Sequence, residues 1–318
     1  MNFRDGNVIS IGECMIELSR RSDGAFAIAQ AGDTFNSAVY LARLTDRRVC
    51  YATAVGDDVY SDAIVATAEG EAIETRYIAR IAGRMPGLYL IETDAGERTF
   101  WYWRDAAAAR DLFSQTDTSA LAQAFSKASL IYLSGITLSI YDDASRTTLA
   151  AMLDDARAAG ARVAMDSNYR ARGWPDGRAQ ARDIFEMFWR RADIALPTYD
   201  DEQDLWGDTR PDDTSARLNA FGVREHIIKL GDEGCLVAAA DGAFTVPCPT
   251  IVTPVDTTAA GDSFNAAYLA GRLRGDHPQA AATFAHMLAG CVISHPGGVV
   301  PKSATADLVR HFKKNSHE

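Results

Sequence analysis

The chain has 318 residues, 47% of them hydrophobic, which is enough for one large core or two modest ones and too much for a disordered polymer. Its formal net charge of −11 argues against broad attraction to nucleic acid or to an anionic membrane, so an anionic ligand would need locally placed arginines or lysines. The five cysteines (Cys14, Cys50, Cys235, Cys248, Cys291) form no Cys-x-x-Cys pair and are odd in number, which points to reduced thiols, and the six histidines show no ligand spacing.

In chain order, β-rich runs at 8–11, 49–54, 130–134, 163–166, 194–196 and 226–230 alternate with helical patterns such as 143–159 and 179–191. That alternation predicts βαβ units around a largely parallel sheet flanked by helices. The apolar run after Arg4 is short and broken by Glu13 and Glu17, so no secretory signal is expected. No run is long enough to span a bilayer, and the expected location is the cytoplasm. After Ala31-Gly32-Asp33-Thr34, the residues Phe35, Ala38, Val39 and Ala42 recur at helical spacing. Asp33 and Asn36 therefore fall in a first turn, where Asp33 is equally suited to a plain N-cap. The runs 87–93 and 98–104 are joined by Asp94-Ala95-Gly96-Glu97 and predict a hairpin that projects from the main sheet. Lys229-Leu230-Gly231-Asp232-Glu233-Gly234 lies between two β-rich runs, and its glycines suit a turn with positive φ. His286 falls in an apolar helical stretch, where a core histidine is the commoner outcome. Three helices, 261–273, 278–294 and 303–312, close the chain.

The segment Asp256-Thr257-Thr258-Ala259-Ala260-Gly261-Asp262-Ser263-Phe264 carries the most chemistry. Phe264, Ala267, Tyr268 and Gly271 lie on one helical face, which starts the helix near Ala260 or Gly261. The first amides of a helix lack intrahelical partners and carry the positive end of its dipole. The small residues Ala259, Ala260 and Gly261 would let a phosphate approach them, with Asp262 alongside as a base. No Gly-x-x-x-x-Gly-Lys-Ser/Thr loop occurs, so nucleotide binding must rest on such elements.

This segment resembles the C-terminal signature of the PfkB family of carbohydrate kinases, with Ala259 where glycine is commoner. Ala31-Gly32-Asp33-Thr34-Phe35-Asn36-Ser37-Ala38 resembles the family's N-terminal sugar-binding signature, with Ala31 replacing a first glycine. The resemblance implies one ribokinase-like, three-layer α/β/α domain over residues 1–318, with a small β-strand lid formed by roughly 14–30 and 85–105. It also implies a homo-oligomer paired through that lid, since such pairing covers exposed strand edges. Asp262 would deprotonate the sugar hydroxyl while the Ala259–Gly261 turn holds the transferring phosphoryl group.

Within the family, three further segments are most similar to bacterial members that phosphorylate the sugar acid 2-keto-3-deoxygluconate. They are Ile11-Gly12-Glu13-Cys14-Met15-Ile16-Glu17-Leu18, the lid hairpin from Met85 to Arg104, and Asp166-Ser167-Asn168-Tyr169-Arg170. That likeness carries over Tyr89, Tyr102, Arg104 and Arg170 as substrate contacts, with Gly32, Asp33 and Asn36 beneath. A fixed guanidinium suits a carboxylate because it can bind it in a two-pronged, charge-assisted way. The alternatives are that Arg104 and Arg170 pair with surface carboxylates and that Tyr102 and Trp103 hold a dimer interface. The resemblance implies ATP and Mg2+ as requirements, with Asn168, Lys229, Gly231 and Gly234 beside the nucleotide and a monovalent cation near Asp256. The family's Asn-x-x-Glu segment near the metal reads Thr198-Tyr199-Asp200-Asp201 here. A fructokinase, a ribokinase and a non-catalytic sensor of the same fold are the rival expectations.

Overall fold

A computed structural model describes residues 1–21, 23–94 and 97–314 of the chain. Thirteen strands are present among these residues: β1 (Val8–Ile11), β2 (Met15–Arg20), β3 (Phe26–Ala31), β4 (Val49–Val55), β5 (Ile78–Arg80), β6 (Leu88–Asp94), β7 (Glu97–Trp103), β8 (Leu130–Ser134), β9 (Arg162–Asp166), β10 (Ile194–Ala195), β11 (Glu225–Lys229), β12 (Cys235–Ala239) and β13 (Gly242–Val246). Nine form one sheet in the order β13-β12-β11-β10-β9-β8-β1-β4-β5, parallel from β11 to β5 and closed at one edge by the antiparallel β12–β13 hairpin. Pairings such as Val8↔Val49 and Val8↔Leu130 put β1 between the two halves of the sheet. The order reverses beside β1, and in open α/β sheets the crevice at such a switch, outside the carboxyl ends of the strands, is where ligands bind.

Successive residues of the central strands enter two different cores. Val8, Leu130 and Tyr132 pack with the helices Asp33–Leu44, Ala260–Arg274 and Pro278–Ile293. Ile9, Ile131 and Leu133 pack on the opposite face with the helices Asp143–Ala158 and Gly177–Trp189. The period-2 alternation of a strand therefore builds three layers from one sheet buried on both sides. No helix among the described residues is long and apolar enough to cross a membrane.

The second sheet, in the order β3-β2-β6-β7, is the small lid. Its two hairpins are antiparallel, but β2 and β6 join them in parallel, with Glu17 opposite Tyr89. The residues Ala95 and Gly96 expected at the tip lie outside the described ones. Leu18 pairs with Ile28 and Leu90, Leu90 with Trp101, and Leu88 with Trp103, so these side chains share one face. On that face Ile28, Trp101 and Trp103 are 54%, 51% and 60% exposed. A cavity of about 540 Å³ opens beneath it, lined in part by Ile16, Leu18, Leu88, Trp103, Met85 and Tyr60. Asp33 and Asp262 are not among its walls.

Candidate active site

The Ala260–Arg274 helix starts where its spacing predicts, and the turn before it is held by Asp256. One carboxylate oxygen of Asp256 accepts from Thr258 N (2.8 Å) and the other from Gly297 N (2.8 Å), which ties the turn to the neighbouring loop. Ala259 caps the helix at φ 59°, ψ 18°, the left-handed region that alanine enters at a cost. Of the three amides expected to be free, that of Ala260 donates to Thr257 O (3.2 Å). Those of Ala259 and Gly261 make no such hydrogen bond among the described residues. A methyl group built on Gly261 would meet only Lys229 Nζ, at 3.5 Å, an ordinary van der Waals distance, so the turn packs directly against a buried ammonium.

Asp262 sits buried in the first helical turn and accepts from Asn36 Nδ2 (2.8 Å) through Oδ2. Its main-chain carbonyl accepts from Ser37 Oγ (3.1 Å), so two residues of the Asp33–Leu44 helix fix its position. Burial chiefly, with Asp33 second, pushes its carboxyl up to about 8, while the Asn36 hydrogen bond and Lys229 pull it down. Asp33 is the first residue of its own helix rather than the cap, which is Gly32. Its Oδ1 accepts from Thr34 N (2.8 Å) and its Oδ2 from Asn168 Nδ2 (2.8 Å), and burial raises its pKa as well. Gly32 permits a close approach, because a Cβ there would lie 2.1 Å from the carbonyl oxygen of Glu13.

Beneath these groups Lys229 Nζ donates to Asp166 Oδ1 (3.1 Å) and Asn265 Oδ1 (3.1 Å). Asn265 Nδ2 completes the network by donating to Asp166 Oδ2 (2.8 Å) and Tyr132 Oη (3.1 Å). Gly231 and Gly234 do adopt positive φ, 63° and 104°, and Gly234 also lies against the β13 backbone, where a Cβ would sit 2.2 Å from Val246 O. Asn168, expected beside the nucleotide, adopts φ 31° and turns its amide onto Asp33.

The lid residues are engaged elsewhere. The Tyr89 hydroxyl is buried and donates to the Glu17 carboxylate. Tyr102, 45% exposed, packs over Tyr89 with ring centroids 5.9 Å apart. Arg104 pairs with Glu13, whose buried carboxyl is pushed up by desolvation against the pull of that guanidinium. Glu13 Oε1 and Arg104 Nε are buried with no hydrogen-bond partner among the described residues. Arg170 Nη1 donates to Asp201 Oδ1 (3.0 Å) and Tyr169 O (2.8 Å). In this structure both arginines thus pair with the protein's own carboxylates. Each nonetheless leads to Asp33, Arg104 through Glu13 beside Gly32 and Arg170 through its near neighbour Asn168.

Sequence spacing brought out Gly32, Asp33, Asn36, Lys229 and Asp262, which the fold does gather. It missed Glu13, Tyr132, Asp166 and Asn265 as members of the site, and it read Asp201 only as the counterpart of the family's metal-side glutamate. The one available signal was that Asp166 ends a predicted strand, the usual place for functional groups in such a sheet. The described residues hold no group of three or more His, Cys, Asp or Glu side chains able to bind a metal. His286 matches the expected core setting in part: its Nδ1 faces Cys248 Sγ at 3.4 Å, while Nε2 is buried without a partner among the described residues.

A family model described as pfkB family carbohydrate kinase matches residues 5–305. A protein of Dickeya dadantii named 2-dehydro-3-deoxygluconokinase is 42% identical over 306 residues, covering 94% of this chain and 98% of that protein. Among solved structures, a 2-dehydro-3-deoxygluconokinase from Thermotoga maritima has a TM-score of 0.84 at 22% identity, covering 99% of this chain and 100% of that one. A putative ribokinase II from E. coli in complex with ATP and Mg2+ has a TM-score of 0.82 at 21% identity, covering 98% and 100%. At those identities the two structures speak for the fold.

Proposed function

The chain belongs to the pfkB family of carbohydrate kinases, and from that premise we propose that it transfers the γ-phosphoryl group of ATP to the 6-hydroxyl of 2-keto-3-deoxygluconate, the 2-dehydro-3-deoxygluconate of its relatives' names. The products are the 6-phosphate ester and ADP. The observation that carries this reading is the buried Asp262, held by Asn36 at the helix start whose Gly261 lies against the Lys229 ammonium. A base and an anion site then share one crevice.

Phosphoryl transfer depends mainly on positioning and charge stabilisation, with a base aimed at the nucleophile. Asp262 takes the proton from the attacking hydroxyl, and Asn36 keeps the carboxylate oriented toward it. The Ala259 and Gly261 amides, aided by the helix dipole and Lys229, stabilise charge on the moving phosphoryl group, with Ala260 shaping the turn. Gly231 and Gly234 form the turn beside the nucleotide. Gly32, Asp33 and Asn36 receive the sugar hydroxyls, and Asn168 fixes the Asp33 carboxylate. Arg104 and Arg170 bind the substrate carboxylate, with Tyr89 and Tyr102 supplying the lid face over the sugar. Magnesium bound with ATP would neutralise phosphate charge, and the phosphates and water would supply most of its ligands.

The domain acts as a single unit over residues 1–318, with the lid excluding water that would compete as acceptor. The exposed face of Ile28, Trp101 and Trp103 is the surface through which we propose that two copies associate. The reading includes a monovalent cation at the loops joined by Asp256, and equal rates in potassium and tetramethylammonium salts would remove it. The main test is release of ADP on mixing the protein with MgATP and 2-keto-3-deoxygluconate, with the product's ester position read by NMR. A 6-phosphate is expected. Binding of both substrates without product would leave a sensor instead.

A further inference from the structure

We infer that Asp201 is a positioning residue for Arg170, and so sets the affinity for the substrate's carboxylate rather than the handling of metal. This rests on the proposed role of Arg170. Asp201 lies in the first turn of the Tyr199–Trp206 helix, where the dipole favours a negative charge, and its side chain is only 14% exposed. Its Oδ2 faces the β9 end, accepting from Tyr169 N (3.3 Å) and, at the limit of a hydrogen bond, from Ser167 Oγ (3.5 Å). Ser167 Oγ is in turn held by Thr198 N (3.2 Å) from the same helix start. Asp201 is therefore a fixed carboxylate on rigid elements.

Arg170 is the opposite, a long side chain that is 59% exposed. Left alone it would lose much rotamer freedom on binding a ligand. Asp201 Oδ1 and Tyr169 O both take donors from its Nη1, which fixes the guanidinium plane while the Nε–Nη2 edge keeps no hydrogen bond to any described residue. That edge presents two parallel N–H groups, the geometry a carboxylate accepts. The aspartate thus orients the arginine without occupying the edge that would read the acid. The sequence position that the family resemblance associates with the metal is, in this chain, committed to the acid-binding side.

The test compares wild type, Asp201→Asn, Asp201→Glu, Arg170→Ala and the Arg170→Ala/Asp201→Asn pair in steady-state assays with 2-keto-3-deoxygluconate, MgATP and varied free magnesium. Asp201→Asn replaces one acceptor oxygen by an N–H donor facing Tyr169 N, so the orientation is lost. Its KM for the acid should rise about threefold to tenfold, with the KM for MgATP and the magnesium requirement at wild-type level. Asp201→Glu keeps the charge and should recover part of that loss, which also guards against a fold defect in the asparagine variant. The double variant should be no worse than Arg170→Ala alone, because the aspartate acts through the arginine. A shifted magnesium requirement with an unchanged acid KM, or losses that add, would overturn the inference. If Arg170→Ala itself leaves the acid KM unchanged, the carboxylate-reading role fails first and this inference with it. If Arg170→Ala raises that KM and Asp201→Asn does not, only the role of Asp201 fails.

Discussion

The crevice at the strand ends and the lid above it solve the problem of placing polar groups in different ways. In the crevice, Asp262, Asp166 and Lys229 are buried, Asp33 is half-buried, and all four are joined to Asn36, Asn168 or Asn265, so their positions are settled before any ligand arrives. On the lid, Tyr89 and Arg104 are tied to Glu17 and Glu13 near the base of β2, while Tyr102, Trp101 and Trp103 lie open. A preorganised site stabilises the transition state without reorganisation, at the cost of burying charge. If the lid closes over the sugar as proposed, the part of its specificity carried by the exposed Tyr102 is assembled on binding.

If that contrast holds, the largest single effect belongs to the crevice. Asp262→Asn should lower kcat by roughly a hundredfold to ten-thousandfold while the protein still folds. The same variant bears on stability. Because the native pKa of Asp262 is raised to about 8, above its unfolded value, the native state holds the proton more tightly and the stabilisation is lost as pH rises toward 8. The asparagine variant should therefore exceed wild type in thermal midpoint near pH 8, and the gap should narrow toward pH 5. A gap that widens on acidification would contradict the burial of an ionisable Asp262.

A smaller effect should appear in the pH profile. The Asn36 hydrogen bond favours the ionised form of Asp262, so Asn36→Ala should move the acidic limb of kcat to higher pH. A limb that stays in place would detach Asn36 from the base. On the lid, Trp101→Ser with Trp103→Ser should shift the protein toward monomer in sedimentation and leave the crevice pH profile alone. An unchanged sedimentation coefficient would remove the lid as the contact between copies. The smallest expected change is Ala259→Gly, which relieves a left-handed alanine and should stabilise the protein by about 0.5–1 kcal/mol in denaturant titration.

The layered fold was legible because central strands buried on both faces read as short apolar runs, and because helix starts announce themselves by spacing. Ala260 begins its helix as expected for that reason. β12 was visible only as the β-rich flank after the Lys229–Gly234 turn, β13 was not read, and β5, with three residues, left too short a pattern to find. The gathering of Asp33 and Asp262 followed from the paired signatures, but the partners of charged side chains did not. Glu17 meets Tyr89 because β2 and β6 pair in parallel across 72 positions, and no local pattern encodes that register. Asn168 faces Asp33 across 135 positions for a similar reason. Spacing reports which face a residue occupies; it does not say which carboxylate waits there.

The most direct test is the ratio of kcat/KM for 2-keto-3-deoxygluconate to that for fructose, measured in wild type and in Arg104→Ala/Arg170→Ala. The account predicts a large preference for the acid in wild type that collapses in the double variant, with turnover of the neutral sugar little changed. A wild-type preference for fructose, or an acid preference that survives loss of both guanidiniums, would contradict it.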